Sequence, residues 1–266
     1  FQMVIRNTAM MVSFQQLMKF FMGMLGKTLI NNETQFNFFH DMNNAFFITG
    51  TDTHIGKTEI TCGLIQFFKK KGYITCGMKP VAAGTEIIDG KKINSDVHKF
   101  ISINSIRKPI ETINPYIFDQ AIAPHIASSI SNQNILFPKI HENFLLLKNE
   151  CEYLFVEGAG GYKVPLAKNR TIEDLISYLS IPIILVVGIK LGCINHTMLT
   201  VESIKNNHHN LYGWVANCIE PNMKEVDENL KYLVQNIDAP FMGKVPFQEE
   251  VDSNETSNYL LWPDKL

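Results

Sequence analysis

Cysteine, net charge and long apolar runs are all scarce in this chain of 266 residues, and each scarcity removes a class of protein. The five cysteines (Cys62, Cys76, Cys151, Cys193 and Cys218) are odd in number and scattered, and none forms a C-x-x-C pair. That excludes a disulfide frame or a cysteine-built zinc site and fits reduced thiols in a cytosol, so a cytoplasmic location is expected. A formal charge of −2 lacks the basic surplus of a nucleic-acid binder. No apolar run approaches the ~20 residues that a bilayer-crossing helix needs, so no membrane partner is expected. What remains, 45% hydrophobic and 19% charged, is the composition of a globular protein able to bury one sizeable core. The pair His208-His209 sits in the polar stretch KNNHHN. Adjacent side chains point in different directions, so a solvated turn is expected there and not a shared metal.

Residues 1–41 differ from the rest, being rich in Met, Phe, Asn and Gln. Met10 to Leu25 has apolar residues at loosely helical spacing, which allows an amphipathic helix. The stretch lacks the basic region and small-residue cleavage site of a secretory signal and the arginines of a mitochondrial presequence. We read 1–41 as an N-terminal extension, disordered or artefactual, with Met42 as an alternative start. Residues 42–266 are expected to form one domain.

From Asn43 onward strands and helices alternate. Strands are predicted at Ala45–Gly50, Tyr73–Lys79, Tyr153–Val156, Ile183–Gly188 and Leu211–Ala216. Helices are predicted at Thr58–Lys71, near Asp96–Ile101, and at Phe137–Glu150, Ile194–Lys205 and Met223–Ile237. Pro80–Ser95 reads as irregular. Thr171-Ile-Glu-Asp174 resembles a capping box opening a further helix. The run IILVVG is continuously apolar, as a parallel strand buried on both faces must be. The alternation predicts an α/β fold: a three-layer, doubly wound, mainly parallel sheet with helices on both faces. Ligands of such sheets sit beyond the C-terminal strand ends, which is where the chemistry-bearing residues fall.

The segment Phe46 to Thr58, FFITGTDTHIGKT, carries the most chemistry. An apolar strand meets a small-residue loop ending in Gly56-Lys57-Thr58, and a helix follows. Loop and helix N–H groups surround a polyphosphate, the lysine reaches its terminal groups and the threonine hydroxyl ligates Mg²⁺. The common form GxxxxGK(S/T) would place glycine at position 51, where this chain has Thr51, with Gly50 one residue early. An upstream Gly26-Lys27-Thr28 has no strand or loop glycine before it and is read as chance.

Further candidates lie at the other strand ends. Lys79 precedes Pro80, which blocks helical continuation, and a thin small-residue loop, so Lys57 and Lys79 can flank one anionic centre. Glu157 follows the apolar Tyr153–Val156 and fits a Mg²⁺-binding carboxylate, with Asp96 and Thr58 completing a set of hard oxygen donors. Asp96 also reads as a helix N-terminal acid favoured by the dipole. Gly158–Gly161 lets the backbone approach a ligand. Asn217 can pair with an adenine edge or simply form a turn.

Together the strings FFITGTDTHIGKT, GYITCGMKPVAAGTE, NSD, NPYIF, APHIAS, VEGAGG, ILVVGIKLGCINHTMLT and GWVAN closely resemble the dethiobiotin synthetase family, P-loop NTPases of biotin biosynthesis, in order and spacing from about Phe46 to Pro246. The family's own loop has the longer GTDTxxGKT form, so the departure at Thr51 becomes support. The resemblance implies an ATP- and Mg²⁺-dependent ligase that closes a ureido ring on 7,8-diaminononanoate with CO₂. It implies that Lys57, Lys79 and Thr53 act on carbamate and phosphate. Thr51, Asp52, His54, Ile55, Gly56, Lys57, Thr58, Asn217 and Pro246 would bind the nucleotide. Thr58, Asp96 and Glu157 would hold Mg²⁺. Lys79, Ala83, Gly160, Gly192, Cys193 and Asn195 would bind the diamine, the last three from a second subunit of a homodimer. The family commonly has serine where this chain has Ala83; Thr85 is the nearest replacement hydroxyl. A partition-type ATPase would carry a second lysine inside the loop, and an amidotransferase would need a glutaminase domain for which the chain is too short. A non-catalytic nucleotide-binding scaffold would have lost Lys79 or Glu157.

Overall fold

Apolar strands too hydrophobic to face water set the architecture. In the computed structural model, which describes residues 44–263, the chain runs β1 (Ala45–Gly50), α1 (Lys57–Lys69), β2 (Thr75–Met78), α2 (Ser95–Ile103), α3 (Phe137–Lys148), β3 (Tyr153–Glu157), α4 (Ile172–Leu179), β4 (Ile183–Ile189), α5 (Cys193–Asn206), β5 (Leu211–Cys218), α6 (Val226–Asn236) and β6 (Phe241–Val245). The six strands form one sheet in the order β6-β5-β4-β1-β3-β2, and every pairing is parallel. Parallel neighbours need helical crossovers, so both faces become covered.

The period-2 alternation of strand side chains sorts the core into two layers. Phe46 and Ile48 of β1, with Ile184 and Val186 of β4, pack against Ile60, Leu64 and Phe68 of α1 and Phe100 of α2. Phe47 and Ile183 face the opposite way, toward Ile140 and Phe144 of α3 and Leu175 of α4. On that same side Leu185 and Val187 meet Trp214 of β5, Cys193 of α5 and Leu233 of α6. The chain builds out from β1 through β2 and β3 on one side, then crosses to β4, β5 and β6 on the other. The reversal leaves a crevice beyond the C-terminal end of β1, the place where doubly wound sheets take their ligands.

The capping box at Thr171 is formed: its hydroxyl accepts from the Asp174 N–H at 3.3 Å, and the Asp174 carboxylate accepts from the Thr171 N–H at 2.7 Å. The stretch Pro80–Ser95 is not irregular as expected. Val81–Ala83 pairs in parallel with Tyr116–Phe118, and Glu86–Ile88 pairs antiparallel with Lys91–Ile93. Asp89-Gly90 turns that hairpin with φ of 49° and 72°, the Asp-Gly signature of a two-residue turn. The sixth strand, FMGKV, is not among those expected; it is short, contains Gly243 and lies at the sheet edge. The helix expected from Met223 begins three residues later, at Val226, because Glu225 adopts φ 53°. Among the described residues no helix is long and apolar enough to cross a membrane. The expected helix at Met10–Leu25, the upstream Gly26-Lys27-Thr28 and the extension 1–41 lie outside the described residues.

Candidate active site

Beyond β1 the chain wraps into a loop anchored at three points. Ile55 is fully buried; a Cβ on Gly188 would sit 2.5 Å from its side chain, so a bare backbone there makes the seat. Asn217, at the end of β5, donates its side-chain amide to the Ile55 carbonyl at 2.9 Å. Gly56 stands at the N-cap of α1 with φ 78°, where a Cβ would meet the Asn217 amide nitrogen at 2.1 Å. Only glycine combines that φ with that approach. α1 therefore begins at Lys57 with its free N–H groups aimed into the crevice.

Asp52 is the hub of the loop. Its carboxylate accepts from the Lys190 ammonium and from the Thr53 N–H, both at 2.7 Å, and its carbonyl accepts from Lys57 Nζ at 2.8 Å. Lys190 holds the Asp52 carboxyl below its ordinary value, with help from the Thr53 N–H. Lys57 is 7% exposed. Burial, outweighing the nearby carboxylates, lowers its ammonium to about 8.

Lys79 follows β2. Its N–H donates to the Ile113 carbonyl at 2.9 Å and its carbonyl accepts from the Asn114 amide at 2.6 Å. Its ammonium donates to Asp96 Oδ2 at 2.7 Å and to Glu157 Oε1. Asp96 lies in the first turn of α2, which Asn94 caps by accepting from the Asp96 and Val97 N–H groups. Asp96 therefore stands both at a helix N-terminus and beside the Lys79 ammonium. Glu157, at the end of β3, is wholly buried. Its Oε1 also accepts the Thr58 hydroxyl at 2.9 Å, and its Oε2 lies 2.9 Å from the Thr61 hydroxyl. Burial raises the Glu157 carboxyl in spite of Lys79. Burial also acts to raise Asp96, but Lys79 outweighs it and the carboxyl titrates low. For Lys79 burial works downward, and the two carboxylates overcome it, keeping the ammonium charged.

These groups line one cavity of about 810 Å³, a volume ordinary for a cofactor-sized ligand. Thr53, His54, Gly56, Lys57, Thr58, Lys79, Ala83, Asp96, Glu157, Gly160, Asn217 and Pro246 are all on its wall. Thr51, Asp52 and Ile55 shape the loop from behind and are not on the wall. Gly192, Cys193 and Asn195 also lie off it; Cys193 is buried in the α5–α6 core, whereas Gly192 and Asn195 are exposed. Thr85 is no substitute hydroxyl for Ala83: it is off the wall and faces Asp119 at 3.3 Å.

Four contributors are not among the residues expected from the sequence. Thr61 lies on the Lys57–Thr58 face of α1, as its i+3 and i+4 spacing permits. Lys190 sits one residue beyond the C-terminal end of a buried strand, the same signal that marked Lys79. Phe247 and Gln248 extend the wall from Pro246. The histidine pair divides in two. His208 is exposed in a turn at φ 55°. His209 is not solvated as expected: its ring bridges the Tyr162 hydroxyl and the Ser177 hydroxyl, both at 2.7 Å. Among the described residues no three His, Cys, Asp or Glu side chains are grouped to hold a metal ion.

A family model described as an AAA domain matches residues 44–255. The ATP-dependent dethiobiotin synthetase BioD of Aromatoleum aromaticum is 41% identical over 219 residues, covering 82% of this chain and 97% of that protein. The protein of the same name from Wigglesworthia glossinidia brevipalpis is 42% identical over 214 residues, covering 77% and 91%. ATP-dependent dethiobiotin synthetase BioD 1 of Escherichia coli O157:H7 is 39% identical over 220 residues, covering 82% and 98%.

Proposed function

Because this chain belongs to the dethiobiotin synthetase family, we propose how its residues divide the work of that ATP-dependent ligase. The reaction joins CO₂ to 7,8-diaminononanoate at the expense of ATP and yields dethiobiotin, ADP and phosphate. One amine takes up CO₂ as a carbamate, releasing a proton. A carbamate oxygen attacks the γ-phosphorus and ADP departs. The second amine attacks the activated carbonyl, loses a proton, and phosphate leaves as the ring closes.

The loop Thr51–Thr58 cradles the triphosphate through its N–H groups, with Asp52, His54 and Ile55 setting its shape. Lys57 and Lys79 neutralise the transferring phosphoryl group and the carbamate, and Thr53 hydrogen-bonds them. Little covalent chemistry falls to the protein, so positioning and charge carry the rate. Asn217 and Pro246 hold the purine; Ala83 and Gly160 face the diamine. Thr58, Asp96 and Glu157 present hard oxygen atoms only, the donor set magnesium asks for, and a cation, the Lys79 ammonium, is already seated between the two carboxylates. Bound there, Mg²⁺ supplies charge neutralisation at the phosphates. The observation that carries this reading is the convergence of Lys57, Lys79 and Glu157 on one cavity.

Gly192, Cys193 and Asn195, at the start of α5, do not line the cavity of their own subunit, and the adjoining Leu191 is 91% exposed. This supports a homodimer in which that helix start receives the diamine's carboxylate at the other subunit's site; full activity from a monomer in sedimentation analysis would refute it. The free thiols favour a cytoplasmic enzyme, and labelled protein recovered outside the cytoplasm would count against that. Residues 42–266 are proposed to suffice for catalysis; a chain beginning at Met42 that fails to fold would show otherwise. A partition-type ATPase would hydrolyse ATP alone. ADP release measured with and without diamine and bicarbonate is expected to depend on both, and an equal rate without diamine would overturn the ligase assignment.

Ala83 leaves the wall one hydroxyl short. Ala83→Ser is expected to lower the diamine KM severalfold, one hydrogen bond being worth about 1 kcal/mol; steady-state kinetics checks it. Lys57 also predicts a pH effect. Its folded value near 8 lies below the ordinary 10.5. From pH 8 to 10.5 the unfolded chain thus binds more protons, and the stability contributed by this group rises with pH. ATP requires the ammonium, so above pH 8 binding must recruit a proton and affinity falls. Calorimetry at pH 8.5 in two buffers of different ionisation enthalpy should register that uptake, and Lys57→Gln should abolish it.

A further inference from the structure

Resting on the ligase reading above, the same site holds a further device. The Lys79 ammonium lies between two carboxylates, 2.7 Å from Asp96 Oδ2 and hydrogen-bonded to Glu157 Oε1. Oε1 also accepts from Thr58 at 2.9 Å. These are the oxygen atoms assigned to the divalent ion, and Lys79 is already using both carboxylates. Lys79 is 5% exposed and Glu157 is fully buried, so little water screens them. An ammonium and a divalent cation sharing these oxygens would stand a few ångströms apart and repel strongly.

We propose that Lys79 is an internal counter-ion occupying the divalent cation's seat, so that ammonium and metal exclude each other at Asp96 and Glu157. The metal enters fully only when Lys79 has another anion, a phosphate or carbamate, to receive its charge. The backbone of Lys79 is pinned on both sides by Ile113 and Asn114, so the exchange is confined to side-chain torsions. Lys57 takes no part in it, being held on the Asp52 carbonyl. Charge balance is kept at each stage, because Asp96 and Glu157 always face a cation.

The test is Mn²⁺ binding to the full chain without nucleotide, read by electron paramagnetic resonance of the free ion. Wild type is expected to bind weakly. Lys79→Met, which removes the charge and is unbranched but one atom shorter, is expected to bind about tenfold tighter or more. Lys79→Arg, which keeps the charge, is expected to stay weak. Lys79→Gln serves in place of the methionine variant if circular dichroism shows the latter unfolded. Equal affinity in wild type and the neutral variants overturns the inference, as does stoichiometric uptake of Mn²⁺ by wild type. The two readings fail separately: undiminished ligation by Lys79→Gln would sink the catalytic role of Lys79, whereas unchanged Mn²⁺ affinity would sink the exchange.

Discussion

Lys57→Gln is expected to lower kcat for dethiobiotin formation by roughly 10²–10³-fold, the usual effect of deleting one preorganised charge from a transition state, while leaving the protein at least as stable. The two halves of that prediction share a cause. The ammonium is 7% exposed, its ionised form is disfavoured by burial, and its hydrogen bond goes to a carbonyl of its own loop. At neutral pH the folded chain therefore carries the charge at a cost, offset only when an anion arrives. Such strain is common where function sets the residue. Thermal melting without nucleotide should show an unchanged or raised midpoint for the glutamine variant. A lowered midpoint with normal kcat would reverse the assignment, making Lys57 a structural residue.

Glu157→Ala is expected to do the opposite and to unfold the protein more easily, by about 3–5 kcal/mol, the range for breaking a buried ion pair by removing one partner. Glu157 is the acceptor for the Thr58 hydroxyl, a neighbour of the Thr61 hydroxyl and a partner of the Lys79 ammonium. Truncation strands Lys79, which is itself buried, with Asp96 alone. Glu157→Gln retains the shape and an acceptor oxygen and should lose distinctly less. Urea midpoints at constant slope measure both. An alanine variant unfolding at the wild-type midpoint would show that the cluster contributes nothing to the fold.

Set beside each other, these two substitutions separate what holds the site from what works in it. Glu157 belongs to strand, helix and loop at once, joining β3 to α1 and, through Lys79, to β2 and α2. The Lys57 ammonium is tied only to the loop, through the Asp52 carbonyl.

The main framework was legible because it is written locally. Four of the six sheet strands are mainly apolar runs, and the helices between them show period and caps within a window of a few turns. Phe46 to Thr58 is a single continuous phrase, so the apolar strand before it and the helix after it place Gly56, Lys57 and Thr58 at a loop and helix start. The hairpin at Asp89-Gly90 is equally local, its turn marked by the Asp-Gly pair. β6 is not local: FMGKV is short, carries Gly243 and Lys244 within it, and becomes a strand by pairing with β5.

By itself the sequence determined the layers, the phosphate loop and the set of residues at the strand ends, because each depends on neighbours a few positions away. The tertiary structure alone decided who touches whom. Lys190 reaches Asp52 across 138 positions, Thr61 reaches Glu157 across 96, and Lys79 seats itself between Asp96 and Glu157. Charges and hydroxyls of this kind carry no periodicity, and their partners are chosen by strand order, which brings distant chain segments to one sheet edge. Only there do burial and partner carboxylates together keep the Lys79 ammonium firmly charged while burial lowers Lys57 to about 8.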